Sequence, residues 1–369
     1  MSATWTHTAL AQQIVFGPGT LRRLPEVVKV IGARKVLLVT TAGRLRSEEG
    51  AQVVAALGRS LASTFSAVES HVPVPAVQQA VLQARRDGID LVVSFGGGSC
   101  ADLGKAVCYF LEQEAGMAGS SHVDRPLVPH VSIPTTYSGA ELTPFFGMTD
   151  PVTRQKQGAG GPTSAPIAAI YDPMLTLSTP ARVSAETGMN ALAHCVEAAW
   201  SPRRTPEAEA IALAGAAVIA GALPAVVGAP DDVEARTAML EGACLAGRCL
   251  LNAGMGVHHG LAQLVGGRTG IPHGLANAVL LTHTIAFNAA AVPDAVARLG
   301  VALGAETDPA GAVDRLRGSL GLPATLSEAG VDEGELAAVA RLSQSNHNVA
   351  SNPRPVSESD ALAILQAAW

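Results

Sequence analysis

The sequence predicts an α/β domain with a parallel sheet, followed by an all-helical domain. In the first half, short apolar runs alternate with stretches of helical spacing, which is typical of βαβ units with helices on both faces of a sheet. Such runs almost vanish after Asp172-Pro173, and Ala-rich and Leu-rich segments of helical spacing continue from Ser184 to the end. We therefore place the two domains at residues 1–172 and 173–369.

Four apolar runs in the first half are the predicted strands. They span residues 13–16, 35–40, 90–95 and 130–133. Gly17-Pro18-Gly19 closes the first run, and a helical pattern opens at Thr20. The other three runs are almost continuously apolar, as expected for strands that are buried on both faces of a parallel sheet.

One segment of the helical half, residues 210–230, contains no charged residue and is about long enough to cross a bilayer. It consists mostly of Ala and Gly, which insert weakly into membranes, and Pro224 interrupts it. We therefore interpret it as a buried core helix and expect no membrane partner.

Composition excludes several other classes of protein. With 48% hydrophobic and 15% charged residues among 369, the chain is typical of globular proteins. Its 25 Lys and Arg are dispersed and the net charge is −6, so we expect no nucleic-acid partner. The five Cys lack paired spacing, and the segment Met1 to Leu10 lacks the pattern of a signal peptide, which predicts a cytoplasmic protein.

A glycine-rich turn follows the third predicted strand. Gly96-Gly97-Gly98-Ser99 precedes a helical stretch, with Ser99 as the expected N-cap and Asp102 three positions on. Glycines let the backbone approach a ligand, and the N–H groups at the start of a helix favour an anion. The turn is not the GxGxxG fingerprint of ordinary Rossmann domains, yet a pyrophosphate is its natural occupant.

A second polar loop, residues 134–141, follows the next strand. Loops at the carboxyl ends of consecutive parallel strands line one crevice, so we expect both loops to face the same ligand. The hydroxyl groups of Thr135, Thr136 and Ser138 suit a ribose or a carboxamide, although such clusters are also common in plain turns.

Four histidines in the helical half have suggestive positions. Asn190 and His194 are four residues apart, on one face of a predicted helix. His258 and His259 are adjacent, and His273 lies 14 residues after His259 in a Pro-His-Gly turn. Imidazoles that converge from separate helices can hold a divalent metal or orient a carbonyl substrate.

Nine motifs share an order and spacing that resemble the iron-containing (group III) alcohol dehydrogenase family over essentially the whole chain. They are residues 16–20, 71–74, 96–99, 132–139, 171–173, 188–194, 258–259, 272–274 and 352–356. Within that family the chain is most similar to the maleylacetate reductase branch. Tyr137 follows the Thr pair in a loop one residue shorter than usual, and Asn190 stands where most members carry a metal-binding Asp.

The resemblance implies the cofactor and its contacts. The cofactor is NADH or NADPH, and the residues at or near it are Thr41, Gly96, Gly97, Gly98, Ser99, Asp102, Thr135, Thr136, Ser138 and Lys156. Thr41 stands where many members carry an Asp that repels a 2′-phosphate, so with Arg44 and Arg46 nearby NADPH is compatible.

The resemblance also places His194, His259 and His273 at metal-ligand positions, for Fe or Zn. Without a carboxylate at position 190, two charges on the cation would be uncompensated, so we expect weak metal binding. Gln263 replaces a histidine that the family usually has one helical turn after His259.

The implied activity is NAD(P)H-dependent reduction of the small molecule maleylacetate to 3-oxoadipate, in aromatic-compound degradation, by a homodimer. His259 and His273 are predicted at the reacting carbonyl with His194 in support, and as imidazolium they would donate hydrogen bonds and a proton. His258 is predicted to bind a carboxylate or to be exposed. Three alternatives are a metal-dependent alcohol dehydrogenase, a lyase or cyclase of the dehydroquinate synthase type, and a catalytically idle nucleotide-binding protein.

Overall fold

A computed structural model describes residues 5, 9–117, 126–152 and 156–369. The chain forms two compact units, Ala9–Ser178 and Thr179–Trp369. We call the first the α/β unit and the second the helical unit.

The α/β unit is built on a six-stranded parallel sheet in the order β1-β8-β5-β4-β2-β3. Its strands are β1 Gln13–Phe16, β2 Val36–Thr40, β3 Leu61–Phe65, β4 Leu91–Gly96, β5 His130–Pro134 and β8 Ala168–Tyr171, and β6 Phe145–Thr149 pairs with β7 Lys156–Gly160 in an antiparallel hairpin. Its α-helices are α1 Leu24–Ile31, α2 Ala42–Leu45, α3 Glu48–Leu57, α4 Val74–Asp87 and α5 Gly98–Glu114. The predicted fold class and all four predicted strands are confirmed.

Alternate side chains of the central strands enter two separate cores. Leu37 and Val92 pack with α4 and α5 on one face of the sheet. Leu38 and Val93 pack with α1 and α3 on the other face. Burial on both faces is why these strands are apolar at nearly every position.

The division between the units falls after Ser178 rather than at the predicted residue 172. The carboxylate of Asp172 accepts hydrogen bonds from the N–H groups of Gly19 and Leu21, both at 2.9 Å. Leu175 is buried in the core of the sheet. These contacts attach the segment after Asp172 to the α/β unit.

In the described part of the helical unit, all the regular structure is helical. Its helices are α6 Ala181–Trp200, α7 Pro206–Gly228, α8 Val233–Ala253, α9 Val257–Thr269, α10 His273–Ala289, α11 Pro293–Ala302, α12 Pro309–Ser319, α13 Gly334–Ser343, α14 His347–Ala350 and α15 Glu358–Ala368.

The uncharged segment lies in α7, which among the described residues is the one helix with the length and composition of a membrane span. One face packs closely on its neighbours: a Cβ at Gly215 would lie 2.7 Å from Cys195 Sγ, and one at Gly242 of α8 would lie 2.6 Å from Ile219 Cγ1. Only 39% of the apolar window is buried, because the opposite face, which includes the exposed Ala214 and Ala217, is not covered by the rest of the unit. The prediction of a buried core helix is therefore correct for one face of α7 and wrong for the other.

Candidate active site

The glycine turn of the α/β unit lies where β4 ends and α5 begins. Gly96 has a φ of +144°, a region that L side chains rarely adopt. Gly97 is the N-cap of α5 and has no side chain to cap the helix. The expectation that Ser99 is the N-cap is therefore wrong, since α5 already begins at Gly98 and Ser99 lies in its first turn. The uncapped N–H groups of that turn remain suited to a phosphate.

The threonine loop packs directly on this turn. A Cβ at Gly97 would lie 3.1 Å from Thr136 Cγ2, and one at Gly98 would lie 2.9 Å from Ser138 Oγ. The Thr135 N–H also donates to the Gly96 carbonyl at 2.9 Å. The structure thus brings together the two loops that the sequence assigns to the nucleotide.

A buried lysine joins α5 to the segment after the threonine loop. Lys105 Nζ lies 2.8 Å from Asp102 Oδ1 and donates to the carbonyls of Ala140 and Phe145. Asp102 Oδ2 accepts from the Gly147 N–H at 3.3 Å. Asp102, predicted to lie at the cofactor, therefore also holds this segment in place. Lys105 was not predicted, although its spacing of three from Asp102 on one helix was a usable signal.

The remaining predicted nucleotide residues lie apart from this turn in the chain. Thr41 follows β2, and its hydroxyl accepts from the Arg44 N–H as the N-cap of α2. The Arg44 guanidinium donates to Ser178 Oγ at 2.6 Å. Lys156 is the first residue of β7, and its side chain lies outside the described atoms.

We expect Gly98→Ala to weaken nucleotide binding about tenfold. The added methyl overlaps Ser138, and relieving such overpacking costs about 1–3 kcal/mol or displaces the threonine loop. Titration of NADH by fluorescence measures the dissociation constant. Gly221→Ala is the matched control, since a Cβ at that helical glycine meets no atom within 4 Å. An unchanged NADH affinity in folded Gly98→Ala would exclude this packing role.

In the helical unit, three imidazoles lie side by side. The rings of His194 and His259 stack with centroids 4.5 Å apart and an interplanar angle of 15°. The His273 ring is 6.1 Å from that of His259. The three come from α6, α9 and α10, so the predicted convergence of histidines from separate helices is present. We call these three residues the histidine cluster.

Local sequence explains this convergence. Asn190 and His194 are one turn apart on α6, and both are buried. His259 lies in the first turn of α9, and His273 is the first residue of α10. Gly274 lets α10 approach α6, because a Cβ there would lie 2.5 Å from the Glu186 carbonyl oxygen.

The buried Glu197, one turn after His194 on α6, was not predicted. Its Oε2 lies 2.7 Å from His259 Nδ1, and its Oε1 accepts from the His258 N–H at 2.9 Å. Burial raises the pKa of Glu197, while N–H groups at the start of α9 oppose that rise and favour the carboxylate. Both oxygens of Glu197 accept from backbone N–H groups, Oε1 from His258 and Oε2 from His259, which leaves neither placed to carry a proton. Nδ1 of His259 therefore donates to Glu197, and its Nε2 carries the lone pair. The Asn190, His194, Glu197 spacing on one helix face was the signal that could have identified it.

His258 does not have either of its predicted roles. It is fully buried, its Nδ1 lies 3.1 Å from Thr284 Oγ1, and its Nε2 lies 2.8 Å from Asn277 Oδ1. With both ring nitrogens hydrogen-bonded inside the protein, it is neither exposed nor available to a substrate carboxylate.

Two imidazoles of the cluster, His194 and His259, are neutral at pH 7. Burial lowers the pKa of His259 to about 3, and burial with the neighbouring His259 lowers the pKa of His194 well below its usual range. The expectation of imidazolium donors is therefore wrong for these two residues. A neutral imidazole still donates one N–H and accepts at its other nitrogen, and neutral histidines polarise carbonyls in known enzymes.

Three buried polar atoms at the cluster have no hydrogen-bond partner among the described residues: Asn190 Oδ1, His194 Nδ1 and His259 Nε2. Buried polar atoms are normally paired, so their presence together indicates a binding site.

Cys195, beside His194, is excluded as a nucleophile because contact with Cys249 and burial raise its pKa well above the usual range.

The arrangement does not fit a bound metal ion. Within the described ranges, no group of three His, Cys, Asp or Glu side chains is arranged to hold one. His273 Nε2 lies 3.1 Å from Asn277 Nδ2, which can only donate, so that lone pair is already in use. The amide of Asn190 also supplies no charge to offset a cation. We therefore assign no step to a metal.

Comparison with known proteins agrees with these observations. The model of the iron-containing alcohol dehydrogenase family matches residues 11–173, and that of the C-terminal part of the same family matches residues 184–369. A maleylacetate reductase from Rhizobium sp. strain MTP-10005 is 36% identical over 99% of this chain and 97% of its own length.

Solved structures show the same fold. The crystal structure of maleylacetate reductase from Rhizobium sp. strain MTP-10005 is 35% identical, with a TM-score of 0.88 over 100% of this chain and 99% of that one. A 1,3-propanediol oxidoreductase is 30% identical, with a TM-score of 0.93 over 100% of both chains. The chain belongs to the iron-containing alcohol dehydrogenase family of oxidoreductases.

Proposed function

We propose that this protein reduces maleylacetate to 3-oxoadipate with NADH or NADPH, in the degradation of aromatic compounds. The observation that carries the proposal is the histidine cluster, in which the buried, neutral imidazoles of His194 and His259 stand beside the amide of Asn190 rather than a carboxylate. Such a site can stabilise a developing oxyanion by hydrogen bonds alone. The 36% identity to a maleylacetate reductase over nearly the whole chain supports the choice of substrate, whereas the fold does not distinguish it, since the 1,3-propanediol oxidoreductase has the higher TM-score.

The reaction needs one hydride and one proton. Hydride from the dihydronicotinamide adds to the alkene carbon β to the ketone, the double-bond electrons move to the ketone oxygen, and NAD(P)⁺ is left. The enolate then takes a proton at the α carbon and becomes 3-oxoadipate. The protein must therefore supply hydrogen-bond donors at the ketone oxygen and a group that carries the proton.

The histidine cluster supplies both. His194 and His273 each donate one N–H to the ketone oxygen, where negative charge develops. The proton for the α carbon comes from solvent: His259 Nε2, an atom with no partner among the described residues, takes it up and passes it to the α carbon, while Glu197 on Nδ1 offsets the charge that the ring gains in between.

Two features favour a dicarboxylate as substrate. Gln263 lies one turn after His259 on α9, and its Oε1 accepts from Asn348 Nδ2 at 3.3 Å, which orients its amide N–H₂ as a donor for a carboxylate. The first turn of α10 has no side-chain cap, and its N–H groups favour an anion.

NADPH is proposed as a cofactor alongside NADH, because Thr41 brings no carboxylate to repel a 2′-phosphate.

Oxidation of NADH and NADPH, followed at 340 nm with maleylacetate as substrate, tests the proposal. We expect turnover with at least one nucleotide and 3-oxoadipate as the product, with one nucleotide consumed per substrate. Absence of turnover above background with both nucleotides would exclude the substrate. Steady consumption of nucleotide also excludes a dehydroquinate synthase type of reaction, in which the nucleotide is restored.

We expect activity on maleylacetate to survive removal of metal. The site offers neutral ligands, and one lone pair is used by Asn277, so a divalent cation would be held weakly. The measurement is kcat after dialysis against EDTA, with and without added Fe²⁺ or Zn²⁺, alongside metal analysis. Loss of activity that either ion restores, together with turnover of short alcohols, would instead favour the metal-dependent alcohol dehydrogenase.

We also propose that the protein acts as a cytoplasmic homodimer, as the family resemblance implies. Size-exclusion chromatography with light scattering tests the oligomeric state, and a mass of one chain, 37.5 kDa, would exclude a stable dimer.

A further inference from the structure

A buried chain of hydrogen bonds leads from Thr284 to His273, both on α10, through His258 of α9. Thr284 Oγ1 lies 3.1 Å from His258 Nδ1, and His258 Nε2 lies 2.8 Å from Asn277 Oδ1. Asn277 Nδ2 then lies 3.1 Å from His273 Nε2 and 2.8 Å from the His273 carbonyl oxygen. Thr284, His258 and Asn277 are all fully buried. None of the three faces substrate in the proposed reaction, yet they end on a ring that does.

The chemistry of the partners fixes the direction of the bonds that Asn277 makes. The Asn277 amide nitrogen faces the His273 carbonyl, which only accepts, so the amide cannot be reversed without setting two oxygens against each other. Asn277 Oδ1 only accepts, so His258 Nε2 carries a hydrogen, and the neutral ring then has its lone pair on Nδ1. That nitrogen lies beside Thr284 Oγ1, whose one hydrogen is shared with the Leu281 carbonyl at 2.9 Å. Asn277 Nδ2 only donates, so His273 Nε2 is an acceptor.

We propose that Asn277 is a positioning residue, which holds the proton of the neutral His273 ring on Nδ1. Its role in catalysis rests on the proposed reaction: in this tautomer His273 donates from Nδ1 to the developing enolate oxygen. His259 is held in the complementary state, because Glu197 takes its Nδ1–H and leaves Nε2 as the acceptor. The protein therefore assigns donation to one imidazole and proton exchange to the other through partners behind the rings.

The tautomer is measured directly by two-bond ¹H–¹⁵N correlation spectra of the ¹⁵N-histidine-labelled protein, with His273 assigned by its loss in His273→Gln. We expect the proton of His273 on Nδ1. A proton on Nε2, or a mixture of both forms, would overturn the proposal. This measurement needs no substrate, so it stands even if maleylacetate is not turned over, an outcome that would contradict the proposed function alone.

Asn277→Asp tests the cause. The carboxylate still accepts from His258 but cannot donate to His273, so we expect the proton of His273 to move to Nε2. On maleylacetate, kcat should fall about 100-fold, as for loss of one oxyanion donor, with KM changed less than about threefold. Asn288→Asp is the control, since it places the same carboxylate on α10 at a buried residue that bonds to Asn352, and it should leave the His273 tautomer unchanged.

Two results with Asn277→Asp would count against the proposal. An unchanged tautomer would show that Asn277 does not set it, and a changed tautomer with undiminished kcat would remove His273 Nδ1 as the donor. Should the variant fail to fold, the spectrum of the unmodified protein still decides whether the proton is on Nδ1.

Discussion

Replacement of His259 by asparagine is expected to lower kcat on maleylacetate about a thousandfold while the protein remains folded. The asparagine amide can still donate to Glu197, so the buried carboxylate keeps a partner, but the atom that exchanges the proton, Nε2, is lost. General acid–base groups contribute about 10²- to 10⁴-fold, which sets the expected loss. His259→Ala should lose as much activity and more stability, because it leaves Glu197 buried without that donor.

Steady-state kinetics and the urea midpoint of unfolding separate the two effects. His283→Asn, on α10 but only partly buried, is the matched control and should retain kcat within about twofold. Folded His259→Asn with most of its activity would remove His259 from the mechanism.

Glu197→Gln extends the same argument to the partner of His259. The amide can present N–H₂ to His259 Nδ1 and so reverse the ring tautomer. In serine proteases, replacement of the equivalent carboxylate by an amide lowers kcat about 10⁴-fold for this reason. Because Glu197 and His259 act as a unit, the double variant Glu197→Gln/His259→Asn should be no slower than His259→Asn alone. Additive losses in the double variant would indicate separate roles.

The α/β fold follows from the sequence where burial is symmetric. Residues 35–40 and 90–95 are apolar at almost every position because both faces of their strands are covered, so their prediction was straightforward. β3, with the sequence LASTF, was missed because it lies at the edge of the sheet and is only partly buried. The Ser99 N-cap was wrong for a local reason, since the extended backbone of Gly97 starts the helix earlier.

The histidine cluster was predictable in its membership but not in its chemistry. Spacing placed Asn190 and His194 on one face of α6, and the structure brings His259 and His273 beside them. Charge state, however, depends on burial and on groups distant in the chain, such as Glu197 behind His259. The paired histidines 258 and 259 look equivalent in sequence, yet adjacent helical positions point apart, and His258 turns to Asn277 while His259 joins the cluster.

The helical unit is expected to lose stability steeply as the pH falls from 6.5 toward 4. Burial lowers the pKa of His258 and His259 to about 3 and that of His194 well below its usual range. In the unfolded chain these groups take up protons near pH 6.5, so between about pH 6.5 and 3 the unfolded state binds more protons and stability falls with pH. Each imidazole whose pKa is lowered to about 3 reduces the free energy of unfolding by about 2 kcal/mol at pH 5. A typical domain has a free energy of unfolding of only about 5–15 kcal/mol.

One carboxyl opposes this trend within the same unit. Burial raises the pKa of Glu197, so its ionisation destabilises the fold at neutral pH and that penalty is relieved as the pH falls toward 4.5. Burial also lowers the pKa of His283, so four imidazoles against one carboxyl leave a net loss of stability in acid. Urea unfolding between pH 7.5 and 4.5 measures the loss. Tryptophan fluorescence reports this unit selectively, because Trp200 and Trp369 lie in it and the α/β unit Ala9–Ser178 contains no tryptophan.

A matched variant identifies the groups responsible. His130 lies in the α/β unit, and burial lowers its pKa to about 3 as well. His130→Asn should therefore leave the pH dependence of the tryptophan-detected transition unchanged. His258→Gln should reduce the slope of the free energy of unfolding against pH, near pH 5, by the amount that corresponds to about one proton. A helical unit equally stable at pH 7 and pH 5 would mean that the clustered imidazoles are already protonated in the folded protein, and the assignment of His194 and His259 as neutral groups would then have to be abandoned.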